Sequence, residues 1–206
     1  MKSKKHYYID LVSKVIRDSA SANLKVDEIA TSIGVSKKTL YNHFDSKQQL
    51  MECVMDSFLK RRIDETRLDA SKAASPIAAL VAIGRNVSIL LYDFSNHPAI
   101  KGEMIDAIAL QRITAERRQE ILELVIHLFK KGIRTGIFES DIDAALASKL
   151  YLSSIEMLSR KNEAKAECLL TENRLNKVMY YMLKGSCSSI GLGGLREVLD
   201  LRVVAC

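Results

Sequence analysis

Between Val26 and Lys47 the chain sets out Lys37, Lys38, Thr39, Tyr41, Asn42, His43 and Lys47. These residue types can bond double-stranded DNA. Lysine donates to guanine acceptors or to phosphate, threonine meets a thymine methyl or a phosphate, and asparagine bonds adenine bidentately. The residues between them carry a second pattern: Ala30 is small, Gly34 can make a turn, and Ile29, Ile33, Val35 and Leu40 are apolar. A helix-turn-helix needs these features in this order, so that two short helices approach closely and apolar side chains clamp their angle. Ser36 can cap the second helix. Leu40 and Phe44 then point inwards and leave the polar set outward or at the rim.

The elements that must position this stretch follow from periodicity. Tyr8, Leu11, Val12, Val15 and Ile16 recur at three- and four-residue spacing and predict a first amphipathic helix ending near residues 19–23. Ser46, with Gln49 three residues on, has the form of a capping box and opens a helix predicted to run to about Ala70. Ser75-Pro76 predicts a further helix to Phe94, broken by Asn96-His97-Pro98. A long pattern over about 103–131 is expected to be closed by Gly132 and by Gly136 in a loop reaching Ser140. Asp141 or Asp143 can cap a helix over 144–160, and the last predicted helix covers 172–184, stopping at Gly185. No strand-like alternation persists, so the fold class is all-α.

Composition narrows the function classes. Apolar residues make up 48% and charged residues 27%, with 9 Gly and 2 Pro, which favours a packed helical protein over disorder. The formal net charge is +6. Nine Lys or Arg face five acids in the first 47 residues, which gathers the positive charge where DNA contact is expected. The longest uncharged apolar run, Ile77 to Ile83, is far short of the roughly 20 residues of a membrane span, and no apolar signal core follows the basic N-terminus. A cytoplasmic protein without membrane partners is expected. Cys53, Cys168, Cys187 and Cys206 are far apart and lack metal-ligand spacing, so no metal is predicted; with no convergent nucleophile and base and no phosphate-binding glycine loop, no catalytic residues or cofactor are predicted either. Glu116, Glu120 and Glu123, interleaved with Arg117 and Arg118, read as a solvated helix face rather than an enzyme's paired carboxylates.

From Ile29 the chain runs Ile-Ala-x-x-x-Gly-Val-Ser-x-x-Thr-Leu-Tyr-x-His-Phe-x-Ser-Lys to Lys47. In spacing and residue type this resembles the signature of the TetR family of regulators, closely over about the first 60 residues. The family often has Thr where this chain has Lys25. The resemblance implies an N-terminal three-helix DNA-binding domain, here 1–47, followed by a larger helical ligand-binding and dimerisation domain, 48–185. Residues 186–206 form a tail to which no role is assigned.

The resemblance further implies that Thr39, Tyr41, His43 and Lys47 contact the DNA backbone or its edge, while Lys37, Lys38 and Asn42 are better placed for bases. For a homodimer interface the apolar candidates are Leu146, Leu150, Ile155 and Leu158 on one helix and Leu175, Val178, Met179 and Met182 on the next. For a pocket they are Tyr92, Phe94, Met104, Ile108, Phe129, Tyr151 and Met157, since ligand cavities are mostly apolar. The function implied is a repressor released from double-stranded operator DNA by a small apolar or amphipathic effector. The alternative is an activator, or a regulator controlled by a partner protein.

Overall fold

The computed structural model describes residues 4–19, 24–159 and 172–200, except for the side chains of 158 and 159. Within these residues all regular structure is helical, apart from an isolated bridge between Phe138 and Cys187. The helices are α1 (Lys4–Asp18), α2 (Val26–Ser32), α3 (Lys37–Tyr41), α4 (Lys47–Lys72) and α5 (Pro76–Asn96). They continue with α6 (Pro98–Lys101), α7 (Ala107–Arg134), α8 (Ala144–Ser159), α9 (Glu172–Lys184) and α10 (Ser189–Val198).

The helix starts follow their capping residues. Ser46 Oγ accepts the Gln49 N–H at 3.0 Å, while the Gln49 side chain reaches back to the Asp45 N–H at 2.8 Å, one residue earlier than a standard capping box. Ser75 Oγ accepts from Ala78 N at 3.1 Å. Asp143 Oδ1, rather than Asp141, accepts from Ala145 N and Leu146 N at 2.9 and 3.0 Å.

Two compact units divide the chain. The first comprises Met1–Arg62 and Asp93–Arg117, the second Ile63–Tyr92 and Arg118–Cys206. The first therefore takes in residues well beyond Lys47. Its core gathers Val12, Ile16, Ile29, Leu40, Phe44, Leu50, Met51 and Val54. Within it, the Arg117 guanidinium holds Asp56 at 2.6 and 2.9 Å, and Arg62 holds Asp93 at 2.6 Å. Arg117 is thus a structural ion-pair member and not part of a purely solvated face.

His97 caps α6, a helix not predicted from the sequence, by accepting the Ala99 N–H on Nδ1 at 3.2 Å. Its ring lies against Phe58 with 5.0 Å between centroids. Burial, and then the charge of Arg17, lower its basicity below the ordinary 6.5. Because the folded state disfavours the proton, the unfolded chain binds it first as pH falls. Stability is therefore full above about 6.5 and declines as pH drops through the folded value. Urea unfolding at pH 7.5 and 5.5 is expected to show this loss, and His97→Asn, which keeps a capping side chain, to reduce it. An identical loss in the variant would mean that other groups cause it.

The second unit is built around Leu80, Val125, Phe129, Phe138, Tyr151, Ile155 and Met179. Tyr151 is wholly buried, and its hydroxyl donates to the Leu80 carbonyl at 2.6 Å. Arg118 pairs with Glu156 at 2.7 Å. Gly132 does not close α7, which continues to Arg134 and is followed by Gly136 at φ +70°. A Cβ on Gly132 would lie 2.3 Å from the Phe138 ring, so this glycine permits a close approach instead of ending the helix. Residues 189–198, expected to be part of an unassigned tail, form α10, capped by Ser188 Oγ accepting from Gly191 N at 3.2 Å.

Helix α5 has the length and apolar composition to cross a membrane, because it runs on past Gly84 and Arg85, where the expected apolar stretch stopped. Half of that segment is buried inside the protein.

Candidate nucleic-acid interface

The turn between α2 and α3 is set by local hydrogen bonds. Gly34 takes φ +71°, a left-handed conformation that costs glycine little and other residues about 1–2 kcal/mol. Its N–H donates to Thr31 O at 3.1 Å, and Val35 N–H donates to Ala30 O at 3.0 Å. Ile29, Ala30 and Leu40 are buried beneath the turn. At α2 a lysine occupies the N-cap, and an ammonium has no lone pair to offer an orphan amide. The end is secured from the other side, where Glu28 Oε2 accepts the Lys25 N–H at 2.7 Å. The structure thus supplies its own substitute for the threonine the family often has there.

Ser36 caps α3 by accepting the Thr39 N–H at 3.1 Å, and the two hydroxyls lie 2.8 Å apart. This cap fixes Thr39 at the helix start. Lys37, Lys38, Tyr41 and Asn42 are exposed, while Thr39, His43 and Lys47 are half-buried. The His43 ring lies against Tyr8 of α1, with centroids 5.0 Å apart. Phe44 is buried, and the Lys5 ammonium sits 5.3 Å from its ring centroid, anchoring the chain just after α3 to α1. Lys47 opens α4 directly after its Ser46 cap. Of the seven predicted DNA-contact residues, Lys37, Lys38, Thr39 and Tyr41 therefore lie on α3, Asn42 and His43 follow it directly, and Lys47 opens α4. Sequence reasoning missed Asp27, whose Oδ2 accepts from Lys37 Nζ at 3.0 Å.

The residues proposed for a pocket divide between the two units. Phe129 and Tyr151 are core residues of the second unit, Phe129 stacking on Phe138 with centroids 4.9 Å apart. Met104 is buried and Phe94 half-buried in the first unit. Ile108, Tyr92 and Met157 are exposed, Ile108 by 82%. A cleft of about 240 Å³ in the second unit is lined by Arg67, Ala70, Ser75, Leu124, His127 and Leu128 among others, and by none of the seven.

Of the residues proposed for a dimer face, Leu146, Leu150 and Met182 are exposed and Val178 is half-buried. Ile155, Leu175 and Met179 are buried within their own unit. The Leu158 side chain lies outside the described residues.

The family model for bacterial regulatory proteins, tetR family, matches residues 14–54, which take in α2, α3 and the start of α4. Over 144 residues the chain is 28% identical to the HTH-type transcriptional repressor KstR2 of Rhodococcus jostii (strain RHA1), covering 68% of this chain and 70% of that protein. Its fold is similar to that of the fatty acid degradation regulator FadR from Bacillus halodurans, with a TM-score of 0.63 at 19% identity over 89% of this chain and 96% of that one. The transcriptional regulator FadR from Bacillus subtilis, solved in complex with stearoyl-CoA, gives 0.62 at 20% identity over 88% and 99%. The structural likenesses carry the all-helical fold, and the matched motif with its exposed, capped α3 carries the chemistry. Residues 14–54 thus match the DNA-binding module of bacterial regulatory proteins of the tetR family, and the chain is similar to HTH-type transcriptional regulators over about two thirds of its length.

Proposed function

We propose that the protein is a cytoplasmic repressor, without enzymatic activity or a cofactor requirement, that binds operator DNA as a homodimer and is released by a small amphipathic effector. The observation that carries this reading is the capped α3, which turns Lys38, Tyr41 and Asn42 outward over a buried Leu40. In DNA complexes of this motif the second helix enters the major groove, and a dimer reads two half-sites. Lys47, Thr39 and His43 take the phosphates, while Lys38 and Asn42 take base edges. Lys47→Ala is expected to weaken binding to every sequence alike, and Asn42→Ala to relax preference at one base pair per half-site, by about 1–3 kcal/mol. Equal losses on all sequences for both variants would remove the base-reading assignment.

The dimer face is supported by an apolar stripe on the second unit. Leu146, Leu150 and Met157 of α8 stand on one side of their helix and are exposed, as are Tyr181 and Met182 of α9. Two copies packing these faces would bury what water now covers. The effector class is supported by relatives, one structure being a complex with stearoyl-CoA. Release requires the effector to bind the DNA-free state more tightly, and by linkage operator DNA must weaken effector binding by the same factor. Titrating a long-chain acyl-CoA with and without operator DNA tests this. Equal affinity in both titrations would refute effector release.

A further inference from the structure

The exposed cation that opens α3 is not free. Lys37 Nζ donates to Asp27 Oδ2 at 3.0 Å, joining the first residue of α3 to the first turn of α2, ten residues earlier. Both side chains are half-exposed or more, and surface pairs of this kind add only about 0–1 kcal/mol to stability, so the fold gains little from it. The positive end of the α2 dipole favours a carboxylate at this position. Asp27, first through its hydrogen bond and then through its charge, raises the basicity of the Lys37 ammonium and holds it protonated. Adjacent Lys38 is exposed and forms no such pair.

On DNA these two lysines differ. Phosphates are anions, and the charge of Lys37 is already balanced by a carboxylate that repels them. A base edge is a neutral acceptor that an ammonium can reach while remaining bonded to Asp27, because the ammonium has three hydrogens to donate. The pair therefore removes Lys37 from the general attraction to the DNA backbone and leaves it available to guanine N7 or O6.

We propose that Asp27 is a specificity-determining residue: by neutralising Lys37 it suppresses binding to random DNA and reserves that lysine for a base edge in the operator. The proposal rests on the operator-binding reading above and adds to it an acid whose task is to lower unwanted affinity.

The test is a salt titration of full-length protein on selected operator DNA and on random-sequence DNA. It compares wild type, Asp27→Asn and the charge-balanced pair Asp27→Asn with Lys37→Gln. Each uncovered lysine adds about 0.9 to the slope of log affinity against log salt, so Asp27→Asn should steepen the slope on random DNA by about 1.8 per dimer. Its affinity for random DNA should rise several-fold more than its affinity for the operator. The double variant should return the slope on random DNA to the wild-type value while losing discrimination at one base pair per half-site.

An unchanged slope and unchanged random-DNA affinity in Asp27→Asn would overturn the proposal. So would equal weakening on both DNAs, which would make Asp27 a mere prop for α3. Wild type that failed to prefer the operator would instead defeat the operator-binding reading. The slope comparison on random DNA would then still decide whether Asp27 masks Lys37.

Discussion

Replacing Phe44 with alanine is expected to destabilise the first unit by about 3–5 kcal/mol and to abolish DNA binding at temperatures where the wild type binds. The ring is wholly buried, and the chain around it serves two ends. The Phe44 N–H donates to Leu40 O at 3.0 Å, closing the turn after α3, while Lys5 of α1 lies over the ring. Truncation leaves a cavity where α3 meets α1, and the five-residue α3 is too short to persist without that support. Denaturant unfolding measures the first effect and DNA titration the second. The control is Tyr41→Ala on the exposed side of the same helix, which should leave stability within about 0.5 kcal/mol while weakening DNA binding. Wild-type DNA affinity in Phe44→Ala would mean that α3 is not the element that grips DNA.

Gly191→Ala is expected to be the most damaging small substitution in the second unit, by about 1–3 kcal/mol or more. A Cβ there would fall 2.0 Å from the Ile137 carbonyl oxygen, and that carbonyl is held by the Ser188 N–H at 3.0 Å and the Ser188 hydroxyl at 3.1 Å. Backbone so fixed cannot give way. Alanine would push α10 off its seat and expose Leu195 and Leu199, which are now buried. The sign makes this test sharp, because glycine to alanine inside a helix ordinarily stabilises by about 0.5–1 kcal/mol. Gly193→Ala and Gly194→Ala, whose new methyl groups would meet nothing within 4 Å, should show that ordinary gain. Thermal melts of the three variants separate the cases, and a stabilised Gly191→Ala protein would contradict the described seat of α10.

These substitutions also mark where the sequence was informative. The helix-turn-helix could be read because its requirements are local: Gly34 for a left-handed turn, Ser36 for a cap, Leu40 and Phe44 for the inner face. Each depends on neighbours within a few residues. Gly132 misleads for the opposite reason. Its neighbour Phe138 packs against it from beyond the helix, and the need to omit a Cβ there overrides the usual tendency of glycine to end or weaken a helix.

Helix α6 was hidden because His97-Pro98 reads equally as a break and as a cap followed by a proline at the first helical position. The apolar residues of the second unit gave periodicity but not partners. Periodicity cannot separate Ile155 and Met179, which fill their own core, from Leu146 and Leu150, which face water. The Asp27–Lys37 pair left a trace in sequence only as an acid ten residues before a lysine, and its meaning depends on the turn that brings them together.

The measurement that bears most directly on the central claim is selection of bound sequences from a random pool of double-stranded DNA by the purified protein, with the size of the resulting complex determined. The expected result is enrichment of a palindromic site bound by two copies of the chain, with half-site centres about one helical turn, 34–36 Å, or a multiple of it apart. A folded protein that enriches no sequence, or binds an asymmetric site as a single copy, would contradict it.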